Sequence, residues 1–117
     1  MIKGVTLTIL PSRMVLQLNR FERTTDGSVR NDVPVTFPLN GLIVPLASET
    51  AIFDCVTISN HTGSCVSGHY TAHVRRENTW FHIDDDETSK VVGDAQSIIG
   101  TSSIQAYLLF YVRRSTA

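Results

Sequence analysis

Along much of the chain, hydrophobic and polar residues alternate with a period of two, the spacing typical of a half-buried β-strand. Apolar residues occupy every second position of Val5–Ile9, and the alternation resumes over Met14–Leu18. Pro11 lies between the two stretches, and proline cannot donate a backbone hydrogen bond to a central strand pair. We therefore predict two strands separated by a turn at Leu10–Ser12.

The rest of the chain also indicates strands separated by turns. Glu22–Val33 is polar and contains Asp26–Gly27, so we predict a long surface loop or a hairpin tip there. A short helix is predicted at Asp94–Ile99. Ala106–Val112 is apolar on both faces, which favours a buried central strand. Three more strands are predicted between these segments, at Val35–Phe37, Leu42–Val44 and Ala51–Ser59.

Two further alternating stretches, His69–Arg76 and Trp80–Asp85, are predicted to form a β-hairpin. Apolar residues fall at even positions of the first stretch and at odd positions of the second, and directly opposed residues in an antiparallel pair share a face. The numbers of paired residues must therefore add to an odd sum. A two-residue turn at Glu77–Asn78 satisfies this condition with a sum of 155.

This register predicts where the polar side chains of the hairpin lie. His69 is placed opposite Asp86, and Asp84 becomes its diagonal neighbour on the same face, roughly 7–8 Å away at the backbone and within side-chain reach. Asp85 is predicted to point to the other face. A carboxylate beside an imidazole fixes the tautomer of the ring and stabilises imidazolium, as do the base and the orienting group of a nucleophilic triad.

Other interpretations of the same residues stay open at this stage. A histidine near an aspartate on an exposed sheet face is commonly a solvated polar pair without a catalytic role. His73 and His82 lie on the same side of the hairpin as His69, so a metal site is a further alternative. Their spacing matches no known ligand pattern, and we predict neither a metal nor a cofactor.

Composition narrows the classes of function. The 117-residue chain has ten basic against eleven acidic side chains and a formal net charge of −1, which argues against a surface built to bind nucleic acid. Hydrophobic residues make up 42%, which excludes general disorder. No apolar run approaches the length needed to cross a bilayer, and the N-terminus has no signal-peptide core. We therefore expect a protein without membrane contact, located in the cytoplasm or nucleus.

Five segments, in order, resemble segments of the ubiquitin-specific proteases, a family of thiol-dependent deubiquitinases. The most specific is Ser67–Ala72, which with Asn60–Ser64 before it is similar to the histidine box of the family. The spacing between the segments is also similar, and together they cover most of the chain. The remaining four are Leu10–Phe21, Val35–Leu39, Trp80–Asp85 and Ala106–Tyr111.

The resemblance implies a fold and a set of roles. The fold is mainly β, an antiparallel sheet with a short helix, and corresponds to the C-terminal (palm) portion of an α+β papain-like cysteine protease domain. His69 corresponds to the general base, Asp84 to the third member of the triad, and Asp85 to a second acidic position used by some members. The residues that would border the channel for the C-terminal tail of ubiquitin are Gly68, Tyr70, Ser67 and Asn60.

Three features of the family have no counterpart in residues 1–117, namely the cysteine box, an upstream oxyanion-stabilising group and the CxxC motifs of the zinc-bearing fingers. Cys65 lies in a Ser/Gly loop with no helix after it and Cys55 lies within a strand, so neither is predicted to be the nucleophile. We expect residues 1–117 to be the C-terminal part of the catalytic domain. This part would be inactive alone and completed by a cysteine-bearing N-terminal half.

The expected function is hydrolysis of the isopeptide bond at the C-terminal glycine of ubiquitin, with ubiquitin or ubiquitinated proteins as partners. One alternative is a catalytically inactive ubiquitin- or protein-binding module of the same fold. Another is an unrelated β-sandwich-like domain, in which His69 and Asp84 would lie apart. Because the resemblance covers only part of a domain, we also expect one sheet face to be uncovered and the isolated chain to self-associate.

Overall fold

A computed structural model of the chain describes residues 7–24, 27–30, 33–63, 68–91, 98 and 103–114. Residues 103–105 and Ile98 are helical. In these ranges, no helix has the length and apolar character needed to span a membrane. The strands are β1 Arg13–Gln17, β2 Phe21–Thr24, β3 Gly27–Arg30, β4 Leu42–Pro45, β5 Thr50–Thr62, β6 His69–Arg76, β7 Thr79–Asp84, β8 Glu87–Lys90 and β9 Ala106–Arg113.

Seven of these strands form one sheet in the order β1-β9-β5-β6-β7-β8, with β4 beside β5, and every pair is antiparallel. The remaining two, β2 and β3, form a separate hairpin within the stretch predicted as a loop or hairpin tip. The 13-residue β5 pairs with β9 along one edge and with β4 and then β6 along the other. The predicted mainly antiparallel β architecture is confirmed, as is the central position of β9.

Two of the predicted strands are not strands where the structure describes them. Residues 7–9, the described part of Val5–Ile9, have no strand partner, and Val35–Phe37 is irregular. Alternation determines which side chains share a face, but a strand also needs a neighbouring backbone to pair with, and a short sequence window does not contain that neighbour. The predicted helix Asp94–Ile99 lies outside the described residues except for Ile98.

The hydrophobic core lies against one face of the seven-stranded sheet. A row of paired residues crosses this face from β1 to β7 and consists of Leu16, Leu109, Ile58, His73 and His82. The irregular segment before β4 adds Phe37 and Leu39, and removal of this apolar surface from water stabilises the fold. The buried apolar residues are Phe37, Leu39, Ala51, Phe53, Cys55, Ile58, Trp80, Ile98, Ala106, Leu109 and Tyr111.

The opposite side of the sheet, which we call the outer face, is apolar but only half-buried. Its central row consists of Val15, Phe110, Thr57, Val74 and Phe81. Val15 is 53% exposed, and the other four are partly exposed. The β6–β7 hairpin therefore turns its apolar side to the outer face and its histidine-bearing side to the core.

Arg20, between β1 and β2, is a buried cation that holds separate segments together. Its guanidinium donates to the carbonyl oxygens of Ala106 at 2.6 Å, Ser103 at 2.7 Å and Val33 at 2.8 Å. Hydrogen bonds from a charged donor to buried carbonyls are stronger than neutral ones. Arg20 thereby fixes the start of β9 relative to the chain that follows the β2–β3 hairpin.

Candidate active site

The β6–β7 hairpin has the register that the sequence predicted. All of its pairs, from Ala72–Ile83 to Arg76–Thr79, add to 155. The two turn residues both have left-handed backbone conformations, with φ of 51° at Glu77 and 69° at Asn78. A two-residue turn with positive φ at both positions has a twist that matches the right-handed twist of the flanking strands. The register is therefore determined by a two-residue turn.

His69 begins β6 and Asp84 ends β7, and their side chains meet at the open end of the hairpin. His69 Nε2 and Asp84 Oδ1 are 2.7 Å apart, with the two side chains 51% and 45% exposed. An ionised carboxylate only accepts hydrogen bonds, so Nε2 carries the proton and donates. The predicted proximity of these residues is confirmed. In the neutral ring, Nδ1 then has its lone pair available.

Asp85 lies on the same side as this pair, and the prediction that it points away is wrong. β7 ends at Asp84, which pairs with Glu87, so Asp85 is the first residue of a tight turn and has φ of 54°. The period-two rule does not extend beyond the end of a strand. The predicted opposition of His69 and Asp86 is also wrong, because the β6–β7 pairing ends at Ala72–Ile83 and Asp86 belongs to the turn after β7.

The three side chains form a compact cluster. One ligand atom each from His69, Asp84 and Asp85 lie within 4.8 Å of one another, a separation that a single cation can bridge. Two of these atoms already share the His69–Asp84 hydrogen bond, and the side chains are substantially exposed. The cluster therefore consists of a hydrogen-bonded imidazole–carboxylate pair with a second carboxylate beside it.

Residues beside His69 form an exposed aromatic surface. Tyr70 is 56% exposed, and its ring lies 4.7 Å from that of His61 and 6.4 Å from that of Tyr107 between centroids. Gln17 donates to the Tyr107 hydroxyl at 3.1 Å, which holds that ring over the edge of β1. Gly68 is half-buried directly before the base. Ser67, predicted to line the same channel, lies outside the described residues.

Asn60 is not on this surface. Its side chain is 1% exposed and its Nδ2 lies 3.0 Å from Nδ1 of His73, so its placement supports a role inside the sheet rather than in a surface channel. Burial, with a smaller contribution from His82, lowers the pKa of His73 to about 4. Sequence reasoning placed His73 on the polar side of the hairpin but missed that this side faces the core.

Cys55 is a buried apolar residue, as predicted. It is completely buried in β5, its Sγ lies 3.6 Å from the Thr57 carbonyl oxygen, and burial raises the pKa of its thiol to about 11. A thiol with so high a pKa is almost entirely protonated at neutral pH and is a poor nucleophile. Cys65 lies outside the described residues.

The chain is similar to known proteins along almost all of its length. Residues 4–111 match the family model described as ubiquitin carboxyl-terminal hydrolase. Ubiquitin carboxyl-terminal hydrolase 12 of Saccharomyces cerevisiae is 32% identical in an alignment 120 residues long that covers 96% of this chain and 9% of that protein. Ubiquitin carboxyl-terminal hydrolase 3 of Mus musculus is 36% identical in an alignment 114 residues long that covers 90% of this chain and 21% of that protein.

Solved structures extend the similarity to the fold. The SAGA Ubp8/Sgf11/Sus1/Sgf73 DUB module bound to ubiquitin aldehyde contains a chain that matches with a TM-score of 0.82 and 28% identity, covering 96% of this chain and 26% of that one. A yeast SAGA DUBm structure with an Sgf73 mutant matches with a TM-score of 0.80 and 30% identity, covering 96% and 25%. The chain thus spans about a quarter of these neighbours and between 9% and 21% of the two curated relatives.

Proposed function

The chain belongs to the ubiquitin carboxyl-terminal hydrolase family, and from this membership we propose that it supplies the histidine and aspartate of a thiol-dependent deubiquitinase. The observation that carries the proposal is the 2.7 Å hydrogen bond between His69 Nε2 and Asp84 Oδ1. The reaction is hydrolysis of the isopeptide bond between the C-terminal glycine of ubiquitin and a lysine side chain.

The tautomer of His69 assigns its role in the first chemical step. Because Nε2 donates to Asp84, Nδ1 is the atom that removes the proton from a cysteine thiol. The thiolate attacks the glycine carbonyl carbon, and the imidazolium then protonates the departing lysine amine as the C–N bond breaks. Water, deprotonated by the same nitrogen, hydrolyses the thioester and regenerates the thiol.

The two carboxylates act on the imidazole rather than on the substrate. Asp84 keeps the ring in one orientation and stabilises the positive charge that forms when Nδ1 takes up a proton. A carboxylate oxygen of Asp85 lies within 4.8 Å of an imidazole nitrogen of His69 and of a carboxylate oxygen of Asp84, and it adds negative charge beside the imidazolium. We therefore assign Asp84 as the orienting residue and Asp85 as an auxiliary one.

The nucleophile comes from outside the described residues. Cys55 is excluded by its burial and its raised pKa. We assign the thiol to a cysteine-bearing N-terminal half of the domain, which makes residues 1–117 the C-terminal part and leaves them inactive alone.

The residues beside the base fit a narrow peptide channel. Gly68 has no side chain to obstruct the approach to His69, and Tyr70 presents an exposed ring on the other side of the base. A narrow channel at this point favours glycine at the cleaved end, because a side chain there would clash with its walls. Ubiquitin, or a ubiquitinated protein in the cytoplasm or nucleus, is the proposed substrate.

A binding module without turnover is the second candidate. It is favoured by Cys55, whose thiol is completely buried, so that no described thiol is available to His69. In this case the surface around Tyr70 would bind ubiquitin without cleaving it. Binding of ubiquitin to the 117-residue chain, measured by NMR, combined with no hydrolysis in the chimera described next, would select this candidate.

The catalytic role is testable in a chimera. Residues 4–111 replace the matching segment of the Mus musculus ubiquitin carboxyl-terminal hydrolase 3, and hydrolysis of a ubiquitin C-terminal fluorogenic amide is measured. We expect the chimera to be active and H69A to lower kcat/KM by at least about a thousandfold, since the base is removed. D84N should lower kcat by about a hundredfold or more through loss of ring orientation.

The matched control is D86N, which removes a neighbouring carboxylate of the same turn that lies outside the cluster. It should leave kcat/KM within about twofold, as is usual for an exposed site away from the chemistry. An H69A chimera that keeps its activity would refute the proposal. A D85N loss that exceeds the D84N loss would exchange the roles assigned to the two carboxylates.

A further inference from the structure

A second group of polar side chains crosses three neighbouring strands on the core side of the sheet. Asn60 of β5 lies 3.0 Å from His73 of β6, measured between Asn60 Nδ2 and His73 Nδ1. His73 in turn faces His82 of β7, with ring centroids 5.0 Å apart and planes inclined by 50°. These residues, which we call the three-strand cluster, have no part in the proposed chemistry.

Because the cluster is buried, the hydrogen bond between Asn60 and His73 matters for the stability of this part of the sheet. Asn60 and His73 are 1% and 4% exposed, so neither has water as an alternative partner at its surface. An amide NH₂ group only donates, so His73 accepts at Nδ1 and must be neutral. Removing one partner of such a bond leaves the other as an unpaired buried polar group. The loss of folding free energy is then larger than the net contribution of the bond itself.

The position of the cluster relates it to His69. The pairing of β5 with β9 shifts register between Ser59 and Asn60, so the ladder on that side of β5 is irregular. On the other side, the β5–β6 pairing continues for only two more pairs and ends at Thr62–His69. The Asn60–His73 bond therefore joins β5 to β6 diagonally, at the level of the irregularity.

The same cluster reaches the strand of the carboxylate. His82 is paired with His73 and precedes Asp84 by two residues on the same face of β7. The β6–β7 pairing, however, extends only to Ala72–Ile83, so the ends of both strands beyond it lack the next ladder pair. On the core side, the contact between the His73 and His82 rings lies next to the last ladder pair of β6 and β7.

We propose that His73 is a positioning residue, which through Asn60 and His82 holds the start of β6 and the end of β7 so that His69 and Asp84 stay in hydrogen-bonding geometry. The inference rests on the proposed function only in naming His69 as the base. The geometric statement stands on the three-strand cluster alone, and its test does not use enzymatic activity.

The test compares variants of the 117-residue chain by NMR. H73F removes the acceptor and leaves the Asn60 amide unpaired, whereas H73Q retains an acceptor in its side-chain oxygen. Y111F is the matched control, because it removes one buried hydrogen bond, from the Tyr111 hydroxyl to the Pro38 carbonyl oxygen at 2.8 Å, far along the sheet from His69. Imidazole nitrogen shifts report the His69 tautomer, and hydrogen exchange reports the stability of residues 69–72.

In the unaltered chain and in Y111F, His69 should show one Nε2–H tautomer at neutral pH. In H73F the tautomer signals should become mixed, and exchange of the amides of residues 69–72 should accelerate by about tenfold, the effect of losing one buried hydrogen bond. H73Q should restore most of both properties. A His69 tautomer and exchange rates in H73F equal to those in Y111F would overturn the proposal.

If H73F does not fold, NMR measurements on the unaltered chain still test the proposal. The proposal requires slow exchange of the Asn60 side-chain amide protons and an Nε2–H tautomer at His73. Fast exchange of those amide protons would overturn it. An inactive chimera would refute the proposed function without changing these NMR results. Failure of the proposed function and failure of the positioning role are therefore distinguishable.

Discussion

Glu77 and Asn78 adopt consecutive left-handed conformations, and this pair of residues sets the register that brings His69 to Asp84. Asparagine tolerates positive φ because its short side chain bonds locally, but glutamate has no such compensation. The turn therefore holds a suboptimal residue at its first position. It is also the element on which the distance between the proposed base and its carboxylate depends.

Substituting Glu77 by asparagine should stabilise the chain by about 0.5–1 kcal/mol, because asparagine relieves the left-handed strain at that site. Urea unfolding of E77N against the unaltered chain measures the difference. E87N, which makes the same side-chain change in the strand β8, should not stabilise. A lower urea midpoint for E77N than for the unaltered chain would contradict the assigned turn geometry.

Acid should destabilise the chain through His73. Its pKa is lowered from the ordinary 6.5 to about 4, so the unfolded chain takes up the proton first as the pH falls. The contribution of neutral His73 to the free energy of unfolding is complete above about pH 6.5. It is lost as the pH falls from 6.5 to 4, and the loss is up to about 3 kcal/mol. Asp54, whose pKa is lowered by its hydrogen bond to Arg114, acts in the same direction at lower pH.

The measurement is urea unfolding at several pH values between 7 and 4 for the unaltered chain and for H73Q. Glutamine does not titrate, so the difference between the two pH dependences isolates His73 from Asp54. If the free energy of unfolding changed equally with pH in the two proteins across this range, His73 would not be held neutral by its surroundings.

Removing the guanidinium of Arg20 should cost at least about 3 kcal/mol, because one buried and two part-buried carbonyl oxygens lose their charged donor. R20M keeps most of the side-chain volume and therefore isolates the hydrogen bonds. R13M is the control at an exposed site and should stay within about 0.5 kcal/mol. Chemical unfolding compares them, and a small loss in R20M would mean that the three bonds contribute little.

Cys55 should be unreactive in the folded chain. Its thiol is buried and its pKa is raised to about 11, so little thiolate is present at pH 8. In a C65S variant, iodoacetamide should label the protein only after denaturant is added, as followed by mass spectrometry. Labelling of Cys55 in native C65S by an electrophilic ubiquitin probe would instead make it a candidate nucleophile.

The outer face should cause the isolated chain to self-associate. Val15 is 53% exposed at the β1 end of the outer-face row, on an edge strand of the sheet, and V15K would place a charge there that a second copy must desolvate. Sedimentation velocity should show less association for V15K than for the unaltered chain. I9K, at a residue that is 81% exposed outside the sheet, should have no such effect.

The parts of the fold that the sequence predicted are those set by local rules. Parity and turn length are both local, and together they gave the 155 register and the His69–Asp84 proximity. The orientation of Asp85 was missed because it depends on where β7 ends. The burial of His73 was missed because it depends on what packs against the core face of the sheet, which the alternation within the hairpin does not record.

The resemblance predicted the family and the architecture but not the placement of each named residue. Asn60 was assigned to a ligand channel from its place in a motif, yet its amide lies under the sheet. A motif records which residue type occurs at a position, whereas burial depends on what packs there. The catalytic assignments of His69, Asp84 and Asp85 remain predictions for the chimera to test.

Both partners of the 2.7 Å hydrogen bond belong to one hairpin, fifteen residues apart in the chain. Their relative position is therefore set first by one two-residue turn, and β5 adds support through its pairing with β6. A thiol brought in from another part of the protein, as proposed, would meet an imidazole and a carboxylate that are already in contact.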